Sequence, residues 1–188
     1  MVPYREEKIS NAICFFASEH EKVTKRPLPQ TFLYKYLAFL DFIFLEKTGR
    51  PSLGLKYIAM ERGPVPIEIY GNRDKLKSDC YYTVPLEENK ILFRAKGEPN
   101  LDYFSPLELA EMRRLIEIYA DHFVHASDIS DASHEAIKAW QKAYRRKPNS
   151  EISYDDAFDD NISEKEKKDL SYAEESYLLD KVIEAAQI

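Results

Sequence analysis

A chain of 188 residues with 44% hydrophobic and 13% aromatic content holds enough apolar material for one full core, which excludes disorder over most of its length. The formal net charge of −6 is uneven: residues 1–147 carry 23 Lys and Arg against 21 Asp and Glu (+2), and residues 148–188 carry 4 against 12 (−8). The body therefore lacks the basic surplus of a nucleic-acid binder, and no apolar run approaches the roughly eighteen residues that a membrane span needs. The first residues lack the apolar stretch of a signal peptide, and only Cys14 and Cys80 are present, which predicts a reduced, cytoplasmic protein.

Ile9, Ala12, Ile13 and Phe16 recur at helical spacing and predict an amphipathic helix over residues 8–21, with His20 at its solvated end. After Pro27 and Pro29, a wide apolar stripe (Phe32, Leu33, Tyr36, Leu37, Leu40, Ile43, Phe44) predicts a core helix over 31–46. Asp41 lies within it. A buried carboxylate needs a partner, and Lys35, Arg50 or a tyrosine hydroxyl are the candidates.

Residues 49–70 hold three of the five glycines (Gly49, Gly54, Gly63) together with Pro51, Pro64 and Pro66. Such punctuation specifies a backbone path. Pro66 suits the first position of a short helix running through Tyr70 and ending near Gly71 and Asn72. Residues 81–86 and 90–96 predict a β-hairpin whose first strand, containing Pro85, is an edge or bulged strand. Ser105, Pro106 and Glu108 form a capping-box signature, and Leu109, Met112, Ile116, Tyr119 and Phe123 extend a helix to about His125. A turn at Ser127 and Asp128 precedes a helix over 134–144 around Trp140. Residues 148–160 are loop-like and acidic. Two further capping patterns, Ser163 with Glu166 and Ser171 with Glu174, predict one or two terminal helices.

Little of this carries chemistry. His122 and His125 have a metal-chelating i, i+3 spacing, but no cysteine or carboxylate follows at zinc-motif spacing. Ser130, Asp131 and Ser133 around His134 lack a nucleophile elbow and read as the satisfied first turn of a helix. Gly49 to Gly54 lacks the pattern of a phosphate loop. No catalytic, metal or cofactor residue is assigned. The basic run Arg145, Arg146, Lys147 is a candidate partner for the acidic tail.

In order along the chain, Lys8 to Ala17, Leu33-Tyr-Lys-Tyr-Leu-Ala-Phe-Leu-Asp41, Gly49-Arg-Pro51, Tyr57, Gly63-Pro-Val-Pro66, Phe104-Ser-Pro-Leu-Glu108, and Ser133-His134 through Trp140 resemble the Panacea domain, the SocA-like, phage-associated antitoxin domain. The likeness covers about residues 5–158. It divides the chain into a domain over 1–158 and an acidic helical extension over 159–188, which inherits nothing from the family. The family-motif positions are Asp41, Gly63, Pro64, Val65, Pro66, Ser105, Pro106, His134 and Trp140, all read as structural.

The resemblance implies an α+β, predominantly helical fold: a helical core beside a small β-hairpin or sheet. It implies the antitoxin of a type II toxin–antitoxin pair that binds a co-encoded protein toxin, without enzymatic activity or cofactor. One alternative is an adaptor that hands the toxin to the ClpXP protease. Another is a metal-dependent enzyme using His122, His125 or His134. The acidic tail either covers a basic cleft on the toxin or packs back on the domain.

Overall fold

Two long helices open the chain, α1 (Arg5–Thr24) and α2 (Gln30–Thr48), joined through a two-residue strand β1 (Leu28–Pro29). The computed structural model describes residues 2–73, 75–87, 90–159 and 162–186. Helix α2 is buried without a break from Phe32 to Phe42, so it is covered on every side, as befits a helix whose sequence is apolar around most of its circumference. Phe16 of α1 stacks on Tyr36 at 4.8 Å between ring centroids. On another face Phe39 stacks on Tyr119 of α4 (Pro106–Tyr119).

His20 departs from its expected solvated position. Helix α1 runs a turn beyond Glu21, so His20 falls on the same face as Phe16 and Thr24 and is 4% exposed. Phe32 packs on its ring, and a ring nitrogen lies 3.1 Å from the Tyr36 hydroxyl. Burial lowers its pKa to about 4.

The predicted hairpin forms from β4 (Tyr81–Pro85) and β5 (Ile91–Ala95), with β1 adding antiparallel to β5. Strand β4 is an edge of this sheet, as Pro85 requires. The second sheet has no periodic signature in the sequence. It lies inside the glycine- and proline-rich segment, where β2 (Tyr57–Met60) and β3 (Gly63–Pro66) pair antiparallel, and β6 (Glu151–Ile152) closes the other side of β2. Strand β3 tolerates two prolines because of its phase. The Ile67 N–H donates to the Lys56 carbonyl, so the alternation of the ladder turns the nitrogens of Pro64 and Pro66 away from β2. Pro66 then leads into the short helix α3 (Ile67–Asn72).

Ser105 caps α4 with both bonds of a capping box: its N–H donates to Glu108, and its hydroxyl accepts from the Glu108 N–H. The helix stops at Tyr119 rather than near His125. Ala120 leaves the helical region (φ −84°, ψ 69°), and the Asp121 carboxylate accepts the Phe123 N–H, a local bond that competes with helix continuation. Phe123 consequently leaves the apolar stripe and is 86% exposed. His122 and His125 lie in the connecting turn, not at helical spacing. The next helix, α5 (Ala126–Ala136), starts earlier than expected because Asp128 accepts the His125 N–H. Ile137 (ψ 90°) then breaks the chain before α6 (Lys138–Arg146), so the helix expected over 134–144 is divided between α5 and α6.

Beyond β6, single 3₁₀ turns at Tyr154–Ala157, Ile162–Glu164 and Lys167–Asp169 replace a helix at Ser163. The Ser171–Glu174 capping box does form, and α7 (Tyr172–Ala186) follows. Among the described residues the fold is α+β and mainly helical, with seven α-helices and two three-stranded antiparallel sheets.

Candidate functional site

Asp41 is fully buried on α2, and the segment after Pro51 wraps over it. Its Oδ1 accepts the N–H groups of Leu53 (2.5 Å) and Gly54 (3.1 Å), and its Oδ2 accepts the Leu55 N–H (3.1 Å) and the Tyr57 hydroxyl (2.9 Å). Tyr154 lies 3.2 Å from Oδ2, but its single proton serves the Leu55 carbonyl at 2.7 Å. Burial pushes the Asp41 carboxyl upward, and the bonds from Leu53, Leu55, Tyr57 and Gly54 oppose it. The carboxylate therefore ties the core helix to the chain reversal that precedes β2.

Of the expected partners of Asp41, a tyrosine hydroxyl is present; Lys35 and Arg50 go elsewhere. Six residues along a helix place Lys35 about 120° around the axis from Asp41, a separation readable from the sequence. Lys35 is 1% exposed, and its ammonium donates to the Pro64 carbonyl at 3.2 Å. That carbonyl faces away from β2, so Lys35 satisfies the edge of the sheet where a further strand would lie. Burial lowers its pKa to about 7.

Gly63 makes this approach feasible. It has φ +99°, and a Cβ there would lie 2.5 Å from Ser133 Oγ and 2.7 Å from Lys35 Nζ. Ser133 is buried on α5 and donates to the Ser130 carbonyl. Beside it, the His134 ring stacks on Trp140 at 4.0 Å with the planes 5° apart, and Trp140 Nε1 donates to the Met60 carbonyl. His134 Nε2 is buried without a hydrogen-bond partner among the described residues. Burial, followed by the nearby Lys35 charge, lowers its pKa. The structure thus gathers Gly63, Pro64, Ser133, His134 and Trp140 with Lys35 into one corner. Val65, 8% exposed, lies in the same strand, and Pro66 closes it.

Ser105 and Pro106 belong to a different corner. Their capping partner Glu108, 5% exposed, also receives Lys8 of α1 and the Ser52 hydroxyl (2.6 Å). Burial pushes this carboxyl up, but the bonds from Lys8, Ser52 and Ser105 outweigh it and hold it below the usual carboxylate range. The role of Ser52 as a link between α4 and residues 49–70 has no signature in the sequence.

The tail is anchored. Gly49, at φ +80° beyond the end of α2, lies so close to α7 that a Cβ would collide with the backbone at Ala173 and Tyr177. Arg50 pairs with Asp180 at 2.5 Å, Lys181 pairs with Asp155, and Tyr177 packs on Phe158. Arg146 reaches Asp156 at 2.5 Å, so part of the basic run at the end of α6 does meet the acidic segment.

Among the described residues no three His, Cys, Asp or Glu side chains converge at metal-binding distances, and no helix is long and apolar enough to cross a membrane. Fold and site together define a mainly helical α+β domain whose buried Asp41, Lys35 and Glu108 are spent on holding its own backbone and helix ends. The chain belongs to the SocA-like antitoxin family: the profile described as antitoxin SocA-like, Panacea domain, matches residues 33–153, more than half of its length. No curated protein and no solved structure matches the chain.

Proposed function

We propose that this protein is the antitoxin of a type II toxin–antitoxin pair and neutralises a co-encoded protein toxin by direct contact, without a cofactor. Membership of the antitoxin family over residues 33–153 carries the reading. The internal bonding of Asp41, Lys35 and Glu108 supports it, since each of these buried ionisable groups is bound to the fold rather than aimed into a cleft. The division into a domain over 1–158 and an extension over 159–188 belongs to the same proposal.

The test is co-expression with the product of the adjacent gene. Growth arrest by that product, relief of the arrest by this chain, and a stable purified complex are the expected results. The toxin should persist at equal levels in cells with and without ClpXP. Loss of the toxin only where ClpXP is present would instead make the chain an adaptor, and failure to relieve the arrest would remove the antitoxin reading.

A further inference from the structure

Helix α7 has two apolar faces. Its inner one, around Ala173 and Tyr177, packs on the end of α2 and on Phe158. At about 100° per residue, Leu179 and Val182 point away from Ala173 and Tyr177, and Tyr172 and Ile183 continue the same stripe along one flank of the helix. Tyr172, Leu179, Val182 and Ile183 are 77%, 55%, 66% and 44% exposed. No other helix among the described residues carries four large exposed apolar side chains. Folding of this chain gives no reason for that stripe.

We propose that the outward face of α7 is the surface that seats on the toxin, and that the toxin offers it an apolar groove bordered by lysine and arginine. The proposal rests on the antitoxin reading and names its contact surface. Charge selects this occupant over a second copy of the chain. Residues 162–186, which hold α7 and the run before it, carry seven acids against four lysines (−3), so two copies meeting through α7 would bring like charge together. Lys165, Lys167 and Lys168 offset Glu164, Glu166 and Asp169 before the helix, so the acidic surplus lies on α7 itself, where Glu175, paired at the surface with Lys167, borders the stripe. Nor do four side chains approach the roughly 2,000 Å² or more that obligate dimers bury. A basic partner instead gains charge attraction along with apolar burial. The inner-face anchors at Gly49, Arg50 and Asp155 hold the helix in place beforehand, which reduces the ordering entropy that binding must overcome.

The experiment uses the full chain, its triple variant Leu179→Ala, Val182→Ala and Ile183→Ala, and the separate variant Glu175→Lys, each titrated with the purified product of the adjacent gene. Alanine keeps helix propensity, and circular dichroism with thermal melting checks that each variant stays folded. Expected are a loss of affinity of at least tenfold in the triple variant, a smaller loss in Glu175→Lys, and weaker wild-type binding as salt rises. If the wild-type chain binds and the folded triple variant binds equally well, the surface is wrong while the antitoxin reading stands. A wild-type chain that dimerises alone and is made monomeric by the triple variant would overturn the proposal in favour of self-association. If the wild-type chain binds nothing and relieves no growth arrest, both readings fall together. Should the triple variant unfold, the Glu175→Lys result and the salt dependence decide: no change in either overturns the basic-groove assignment.

Discussion

The ammonium of Lys35 donates to the Pro64 carbonyl across Gly63, a residue that must lack a side chain for the two to meet. A lysine from the core helix thereby completes the edge of a two-proline strand. The local stability of the β2–β3 hairpin is thus tied to α2 and, through Ser133, to α5.

Gly63→Ala should be strongly destabilising. The new methyl would meet Ser133 Oγ and Lys35 Nζ at 2.5 and 2.7 Å, and φ +99° is strained for any residue with a Cβ. Backbone strain of about 1–3 kcal/mol and overpacking of a similar size predict a loss of roughly 2–5 kcal/mol. Urea unfolding measures it, and a loss below 1 kcal/mol would mean that the corner is loosely packed.

The Lys35 pKa, lowered from 10.5 to about 7, gives a signed pH dependence. Between those values the unfolded chain holds a proton that the folded chain lacks, so stability from this group rises from pH 7 towards 10. Below about pH 7 the penalty for burying the charge is fully present. Lys35→Met should flatten the slope over that window, and the variant should compare best with the wild type near pH 6. Denaturant midpoints at pH 6, 8 and 9.5 test this; parallel profiles for the two chains would contradict it.

His20 acts at lower pH. With its pKa lowered from 6.5 to about 4, the unfolded chain binds the extra proton between those values, and stability falls as pH drops through them. At 1.36 kcal/mol per pH unit the full effect is about 3 kcal/mol. His20→Gln removes the titration while keeping a side chain that can bond the Tyr36 hydroxyl. Its stability should vary less between pH 6.5 and 4 than that of the wild type.

Asp41→Asn preserves shape but replaces one acceptor oxygen with a donor that faces N–H or O–H groups. Three backbone N–H groups and the Tyr57 hydroxyl converge on this carboxylate. At about 1–3 kcal/mol for each buried donor left unsatisfied, a loss of roughly 2–5 kcal/mol is expected. Hydrogen exchange should report it first at the amides of Leu53, Gly54 and Leu55.

Gly49→Val should free α7 without unfolding the body. The added side chain would strike the α7 backbone at Ala173 and Tyr177, and Arg50 with Asp180 would be drawn apart. Limited proteolysis should then cut the variant within residues 162–172 well before the wild type. Equal cleavage rates would show that the ion pairs alone hold the helix.

The core helix around Asp41, the hairpin with its Pro85 edge, the capping boxes at Ser105 and Ser171, and the resemblance that the family match bears out can all be read from residue order alone. These are signals of periodicity, capping and residue order, and they act over a few residues. Long-range packing sets the rest: residues 57–66 form a hairpin, Lys35 serves Pro64, His20 is buried, and Glu108 joins α1, Ser52 and α4. It also divided the apolar residues of α7 between an anchored face and an open one. Each of these depends on which groups meet across tens of residues. A buried polar atom takes whatever partner the fold brings to it, and local pattern does not encode that choice.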